Sequence, residues 1–209
     1  MAEMGLRERK KIETSRRLLK TALRLFAERG FDEVSTAEIA AAADVSKMTL
    51  FNYFPTKEDL VMSPLTEHAD EPARVVRGRA AGQSPVEALR RQFVTALGER
   101  DAATGLNDSD VVLSLQKLVR NHPALLMRAG WYQIQRTETL RDALVEAGLS
   151  EPDAAVQAGL IIGAISALSD YNLSRTAAGE PADAVYPDAV ALAERAFGAL
   201  LAAERAYGS

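Results

Sequence analysis

Residues 35–60 constrain the fold more than any other stretch: Ser-Thr-Ala-Glu-Ile-Ala-Ala-Ala-Ala-Asp-Val-Ser-Lys-Met-Thr-Leu-Phe-Asn-Tyr-Phe-Pro-Thr-Lys-Glu-Asp-Leu. Ser35 or Thr36 can cap a short helix, and Glu38 stands three residues after Ser35, as a capping box requires. Ser46 can cap a second helix. Pro55 stops it, because proline disfavours helical geometry in the residue before it. Thr56 then opens a third, with Asp59 three residues on. Two short helices joined by a tight turn, with a third beginning behind them, is a geometry that can place the second helix in a DNA major groove. A helical hairpin with no DNA role has the same caps, so the pattern alone leaves both readings open.

The string Thr36-x-x-Ile39-Ala40-x-x-Ala43-x-Val45-Ser46-x-x-Thr49-Leu50-Phe51-x-Tyr53-Phe54-x-x-Lys57-Glu58-x-Leu60 resembles the DNA-binding domain of the tetracycline-repressor (TetR) family. Ala22-x-x-Leu25-Phe26-x-x-x-Gly30-Phe31 is similar to that family's first helix and its exit turn. The likeness covers roughly residues 12–62. It departs at Asp44, where the family usually has glycine; Asp tolerates a left-handed backbone better than most residues. The resemblance implies an all-α chain. A three-helix DNA-binding domain is expected over residues 1–55, and a helical ligand-binding and dimerisation domain over 56–209.

Charge is distributed to match. The net charge is −4, unpromising for a nucleic-acid binder taken whole. Residues 1–24, however, hold eight Lys/Arg against three Glu, while residues 61–209 hold fourteen against nineteen Asp/Glu. The basic end adjoins the paired helices. Of its residues, Lys10 and Lys11 can approach a phosphate or the minor groove.

For DNA contact, positioning is separated from reading. Thr36, Thr49, Tyr53 and Lys57 are the phosphate candidates: hydroxyls donate to phosphate oxygens, and Lys57 lies at a helix N-terminus. Lys47, Met48 and Asn52 are the base-edge candidates, for guanine, a thymine methyl and adenine respectively. Phe51 suits packing or an apolar base contact, and Leu50 and Phe54 read as core.

The rest of the chain reads as helical. A first helix is expected over about 7–29, ended by Gly30. A fourth begins after Thr56 and carries Pro64, which can hinge or bend it, and Pro72 marks an interruption. Ser84-Pro85-Val86-Glu87 and Ser150-Glu151-Pro152-Asp153 are helix starts. Residues 101–107 read as a polar loop, and Asn107 or Asp108 caps the following helix. A helix from Pro123 carries Trp131, and the last helix starts near Pro187. Ala155, Gly159, Ile162, Gly163 and Ile165, with Val190, Ala193 and Phe197, read as intrachain core or as a four-helix contact between subunits. The resemblance implies the second, a homodimer on a near-palindromic double-stranded DNA operator.

The resemblance also implies a small-molecule effector, expected to be hydrophobic or amphipathic. Phe93, Leu115, Met127, Trp131, Gln135 and Tyr171 are the candidates to line its site, with Asn172 a further polar anchor. No cofactor, metal or membrane partner is expected. There is no cysteine, the apolar stretch 154–169 is short for a bilayer, and no signal peptide is read at the N-terminus, so a cytoplasmic regulator is expected. Histidines number two. Glu67-His68-Ala69-Asp70-Glu71 reads as a solvated turn, and no nucleophile elbow or phosphate loop occurs. An enzyme is not expected.

Overall fold

The computed structural model describes residues 5–207; residues 1–4, the first part of the N-terminal segment read for a signal peptide, lie outside them. Ten α-helices and one 3₁₀ turn follow in order, with no strand among the described residues. The chain divides into two compact units. One comprises Met1–Pro64 with Ser114–Met127, the other Leu65–Leu113 with Arg128–Ser209.

In the first unit, α1 (Leu6–Arg29), α2 (Thr36–Ala42) and α3 (Lys47–Tyr53) are followed by α4 (Lys57–Glu67), whose first two turns belong here. Leu18, Ala22, Phe26, Phe31, Ile39, Leu50 and Leu60 are buried together, one apolar stripe from each helix. The caps are where the spacing put them. Ser35 Oγ accepts from Glu38 N while Glu38 Oε2 accepts from Ser35 N at 2.9 Å. Thr56 and Asp59 repeat the reciprocal pair, and Ser46 Oγ accepts from Thr49 N at 3.0 Å. A cap of this kind contributes about 1 kcal/mol. Asp44 carries the turn between α2 and α3 at φ 53°, in the left-handed region where the family favours glycine. Pro64 cannot donate to the Leu60 carbonyl four residues back; Ser63 Oγ donates to it instead at 2.9 Å, and the helix continues to Glu67.

The second unit holds α5 (Glu71–Arg77), α6 (Pro85–Gly98), a 3₁₀ turn (Ala102–Thr104), most of α8 (Pro123–Glu146), α9 (Glu151–Ala177) and α10 (Ala182–Tyr207). Between them α7 (Asp110–Asn121) runs from this unit into the first. Val86, Leu89, Leu97, Leu140, Leu144, Ala158, Ile161, Val185 and Phe197 form its core. α9 is 27 residues long and apolar enough to cross a membrane by length and composition alone. Its inward residues, Ala158, Ile161, Ile165 and Leu168, are buried in that core.

Three sequence expectations change here. Residues 101–107 are not a solvated loop: Thr104 and Leu106 are buried, and α9 supplies donors to the turn's carbonyls. Ser169 Oγ reaches Ala103 O, and Asn172 Nδ2 reaches Thr104 O, each at 2.9 Å. Gly105 makes this docking possible, since a Cβ there would lie 2.0 Å from Ser169 O. Second, α7 opens at Asp110, past Asn107 and Asp108; Asp108 accepts from Ala182 N at 2.9 Å and so caps α10. Third, α10 starts a turn earlier than expected, at Ala182, with Pro187 inside it.

Candidate nucleic-acid interface and effector cavity

α3 sorts its side chains by face. Leu50 is fully buried and Phe54, at the C-cap, nearly so, which fixes how the helix sits on α1 and α2. The opposite face carries Lys47, Met48, Phe51 and Asn52, all exposed. Met48 is 70% exposed, although a methionine of that size is ordinarily drawn inward. Lys47 Nζ lies 5.5 Å from the Phe51 ring centroid, a cation–π approach that holds the ammonium over the helix face. Thr49 is half-buried, its hydroxyl 2.8 Å from Ser46 Oγ. Tyr53 is half-buried with its ring tilted against Phe54, and Thr36 is half-buried at the start of α2.

Lys57 is placed differently from a free phosphate ligand. Its Nζ donates to Phe31 O at 2.6 Å, to Asp32 O at 3.2 Å and to Val34 O at 3.3 Å, and lies over the Phe31 ring. The ammonium has three protons and they serve the α1–α2 turn. Its charge is therefore spent on holding the turn that leads into α2. The same turn receives His122 from the α7–α8 corner. The imidazole packs edge-on against Phe31 at 4.6 Å, with Nε2 3.3 Å from Asp32 Oδ1. Arg29 closes the other side, donating to Glu38 at 2.7 Å. The Ser35 backbone N–H, the Ser35 hydroxyl and Arg29, in that order, hold the Glu38 carboxyl down from 4.5 to about 2.

The six expected effector residues do not converge. Leu115 is buried in the first unit, whereas Met127, Trp131, Gln135 and Tyr171 are exposed, Trp131 to 60%. Phe93 lines a cavity. That cavity, of about 50 Å³, lies in the second unit between α5, α6, the 3₁₀ turn, α8 and α9. Its apolar wall includes Val75, Leu89, Phe93 and Ile165, and its polar groups are Glu71, Gln92, Asp101, Thr104 and Arg136. Asn172, expected as a polar anchor, spends its amide on the Thr104 carbonyl.

Sequence reasoning missed Glu71, Gln92 and Arg136. A signal existed for the last. Arg136 shares a helical stripe with Leu140, Ala143 and Leu144, which are buried, so it is a charge on the inward face of α8. Glu71 Oε2 lies 3.1 Å from His68 Nδ1, and its Oε1 accepts from Gln92 Nε2 at 3.1 Å. The pairing raises the pKa of His68 and lowers that of Glu71, each mainly through the hydrogen bond.

Two short capped helices, the second with an exposed outer face, in described residues that hold no strand, make the arrangement of a helix-turn-helix. Residues 18–63 match the family described as bacterial regulatory proteins, tetR family. TcmR of Streptomyces glaucescens, an HTH-type transcriptional regulator, is 31% identical over 123 residues, covering 58% of this chain and 54% of TcmR. The chain thus spans about half the length of that relative. CymR of Pseudomonas putida, another HTH-type transcriptional regulator, is 28% identical over 171 residues, covering 78% and 80%. Among solved structures, a complex of SmeT with triclosan superposes with a TM-score of 0.57 at 16% identity, covering 91% of both chains, which shows the fold. Residues 18–63 thus match the N-terminal domain of the tetR family of bacterial regulatory proteins, and the solved structure extends the likeness in fold to most of the chain.

Proposed function

We propose that the protein is a homodimeric repressor that binds a near-palindromic operator and is released from it by a hydrophobic or amphipathic small molecule. The observation that carries the DNA reading is the outward face of α3, where Lys47, Met48, Phe51 and Asn52 stand exposed beside the buried Leu50. Lys47, Met48 and Asn52 are assigned to base edges. Thr36, Thr49 and Tyr53 are assigned to phosphates, and Lys57 is assigned to positioning α2.

The dimer reading draws support from α9 and α10. The surface expected from sequence splits in two: Ile162, Ile165, Ala193 and Phe197 are buried within the chain, while Gly159 and Gly163 are exposed, as is Gly198 on α10, which the sequence reading did not single out. A Cβ on any of these three glycines would meet nothing. Glycine in a helix costs about 1 kcal/mol relative to alanine, and nothing within one chain uses its small size here. Val156 and Leu160 stand exposed on the same stretch of α9. Two helices from each subunit, meeting about a two-fold axis, would cover this surface and present two copies of α3 to successive major grooves.

The effector reading draws on the cavity beside Phe93 and on SmeT, a protein of this fold crystallised with triclosan. Effector and operator are then linked by a coupling free energy, each weakening the other by the same factor, typically ~5–150-fold. A ligand-independent DNA-binding protein of the same fold is the second reading. The cavity volume of about 50 Å³ favours it, being well below the roughly 300–1,000 Å³ of ligand pockets.

Selection of bound sequences from random DNA at stated salt tests the first reading. Two inverted half-sites about one helical turn apart are expected. A non-symmetric motif, or no enrichment from a folded dimer, contradicts it. Gly163→Glu should dissociate the dimer, and a dimer that persists by light scattering places the interface elsewhere.

A further inference from the structure

Arg136 is handled differently from other arginines in the second unit. Arg77 donates to both oxygens of Glu146, Arg90 to Glu87 and Glu194, Arg141 to Asp142, and Arg175 to Glu180 and Asp188. Those carboxylates raise the pKa of each of the four. Burial instead pushes the Arg136 pKa down. Its Nε is buried with no hydrogen-bond partner, and its Nη1 donates to a neutral amide, Gln133 Oε1, at 3.2 Å. Gln133 is oriented for this by its own Nε2, which donates to Ser166 Oγ at 2.7 Å. The guanidinium is therefore positioned, while no carboxylate among the described residues is hydrogen-bonded to it.

The two acids that share the cavity are committed elsewhere. Glu71 holds His68 and Gln92, and Asp101 Oδ1 accepts from Ala103 N at 2.8 Å at the start of the 3₁₀ turn. A largely buried charge whose Nε lacks a partner, and which the Glu71 carboxylate offsets without a hydrogen bond, is costly, and an acid arriving from outside lowers that cost. Beside Arg136 stand Val75, Leu89, Phe93 and Ile165, an apolar wall. An adjoining groove of about 520 Å³ shares Glu71, Val75 and Gln92 with the cavity and adds Arg74, Arg79 and Arg91. The approach is thus lined by more positive than negative side chains.

We propose that the effector is an amphipathic organic acid whose carboxylate pairs with Arg136 and whose apolar body packs on Phe93, Leu89, Val75 and Ile165. This rests on the effector reading above and names its chemical class. At about 50 Å³ the cavity has room for a head group. The body enters as α5 and α6 part or along the adjoining groove. α5 follows α4 after three residues, so parting it from α6 pulls on the segment that leads back to the DNA-binding helices.

The test uses the full chain and two probes that differ in head-group charge, 4-phenylbutyrate and 4-phenylbutanamide, with binding read by titration calorimetry. Wild type should bind the acid more tightly than the amide. Arg136→Gln should weaken the acid at least ~10-fold and the amide less than about 3-fold. Arg141→Gln, at an exposed ion pair outside the cavity and the groove, should change neither by more than about 3-fold. Equal affinities for the two probes, an acid affinity indifferent to Arg136→Gln, or a loss that appears in Arg141→Gln instead overturns the assignment. If Arg136→Gln does not fold, melting of wild type decides: the acid should raise the midpoint above that with the amide, and equal shifts count against the proposal. Adding both probes to the operator complex separates the two levels. Release by the amide alone keeps the effector reading and rejects the acid. Failure of both probes to bind and to release DNA overturns both.

Discussion

The α2–α3 segment and the α5–α8 segment solve opposite problems with the same helical material. In the first, short helices are fixed by neighbours three or four residues away, and large or functional side chains are left outward: Met48, Phe51 and Asn52 beside a buried Leu50. In the second, charged groups are turned inward, and distant parts of the chain help to set them. Glu71 accepts from Gln92 of α6, and Gln133, the near neighbour that accepts from Arg136, is itself oriented by Ser166 of α9. A site built from local rules can be read residue by residue. A site built from long-range packing shows only once the faces of its helices are known.

The sharpest break of this comparison removes a core anchor from each region. Leu50→Ala should cost about 2–5 kcal/mol, since the side chain is fully buried, and DNA binding should be lost with the fold of that unit. Met48→Ala, two residues away and exposed, should leave the thermal midpoint unchanged and alter sequence preference alone. In the second region, Gly105→Ala forces a Cβ toward Ser169 O, against backbone rather than a flexible side chain. It should destabilise by about 2 kcal/mol or more, read by denaturant unfolding. A smaller loss would show that the turn and α9 yield easily.

How much of each region was legible follows from the same distinction. Ser35 with Glu38, Ser46, and Thr56 with Asp59 are caps whose partners lie within three residues, and the spacing alone identifies them. Lys57 defeated the same reasoning: its helix-terminal position suggested an anion, but its three acceptors lie 23 to 26 residues earlier. Trp131 and Tyr171 were chosen for chemistry, an apolar body with a polar end, and chemistry does not say which way α8 and α9 turn. Arg136, on the buried stripe with Leu140 and Leu144, was the residue whose position carried the information. Asp108 caps α10 across 74 residues, beyond any local rule.

Smaller effects sharpen the local side. Ser46→Ala should cost about 1 kcal/mol through the lost cap of α3, visible as a lower midpoint with the selected DNA motif unchanged. The Glu38 carboxyl gives a pH signature. Its folded pKa, about 2, lies below the ordinary 4.5, so the stability it contributes is fully present above 4.5 and is lost as the pH falls toward 2. Glu38→Gln should flatten that part of the acid-unfolding profile, and an unchanged profile would mean that the box is not held in solution.

The central claim is that the outward face of α3 reads sequence. The most direct measurement is selection from random DNA with wild type and with Asn52→Ala, at the same stated salt. Asn52→Ala should relax preference at one symmetric pair of positions, where a mismatch is normally worth about 1–3 kcal/mol, and leave the other positions intact. An unchanged motif would contradict the assignment of Asn52 to a base edge.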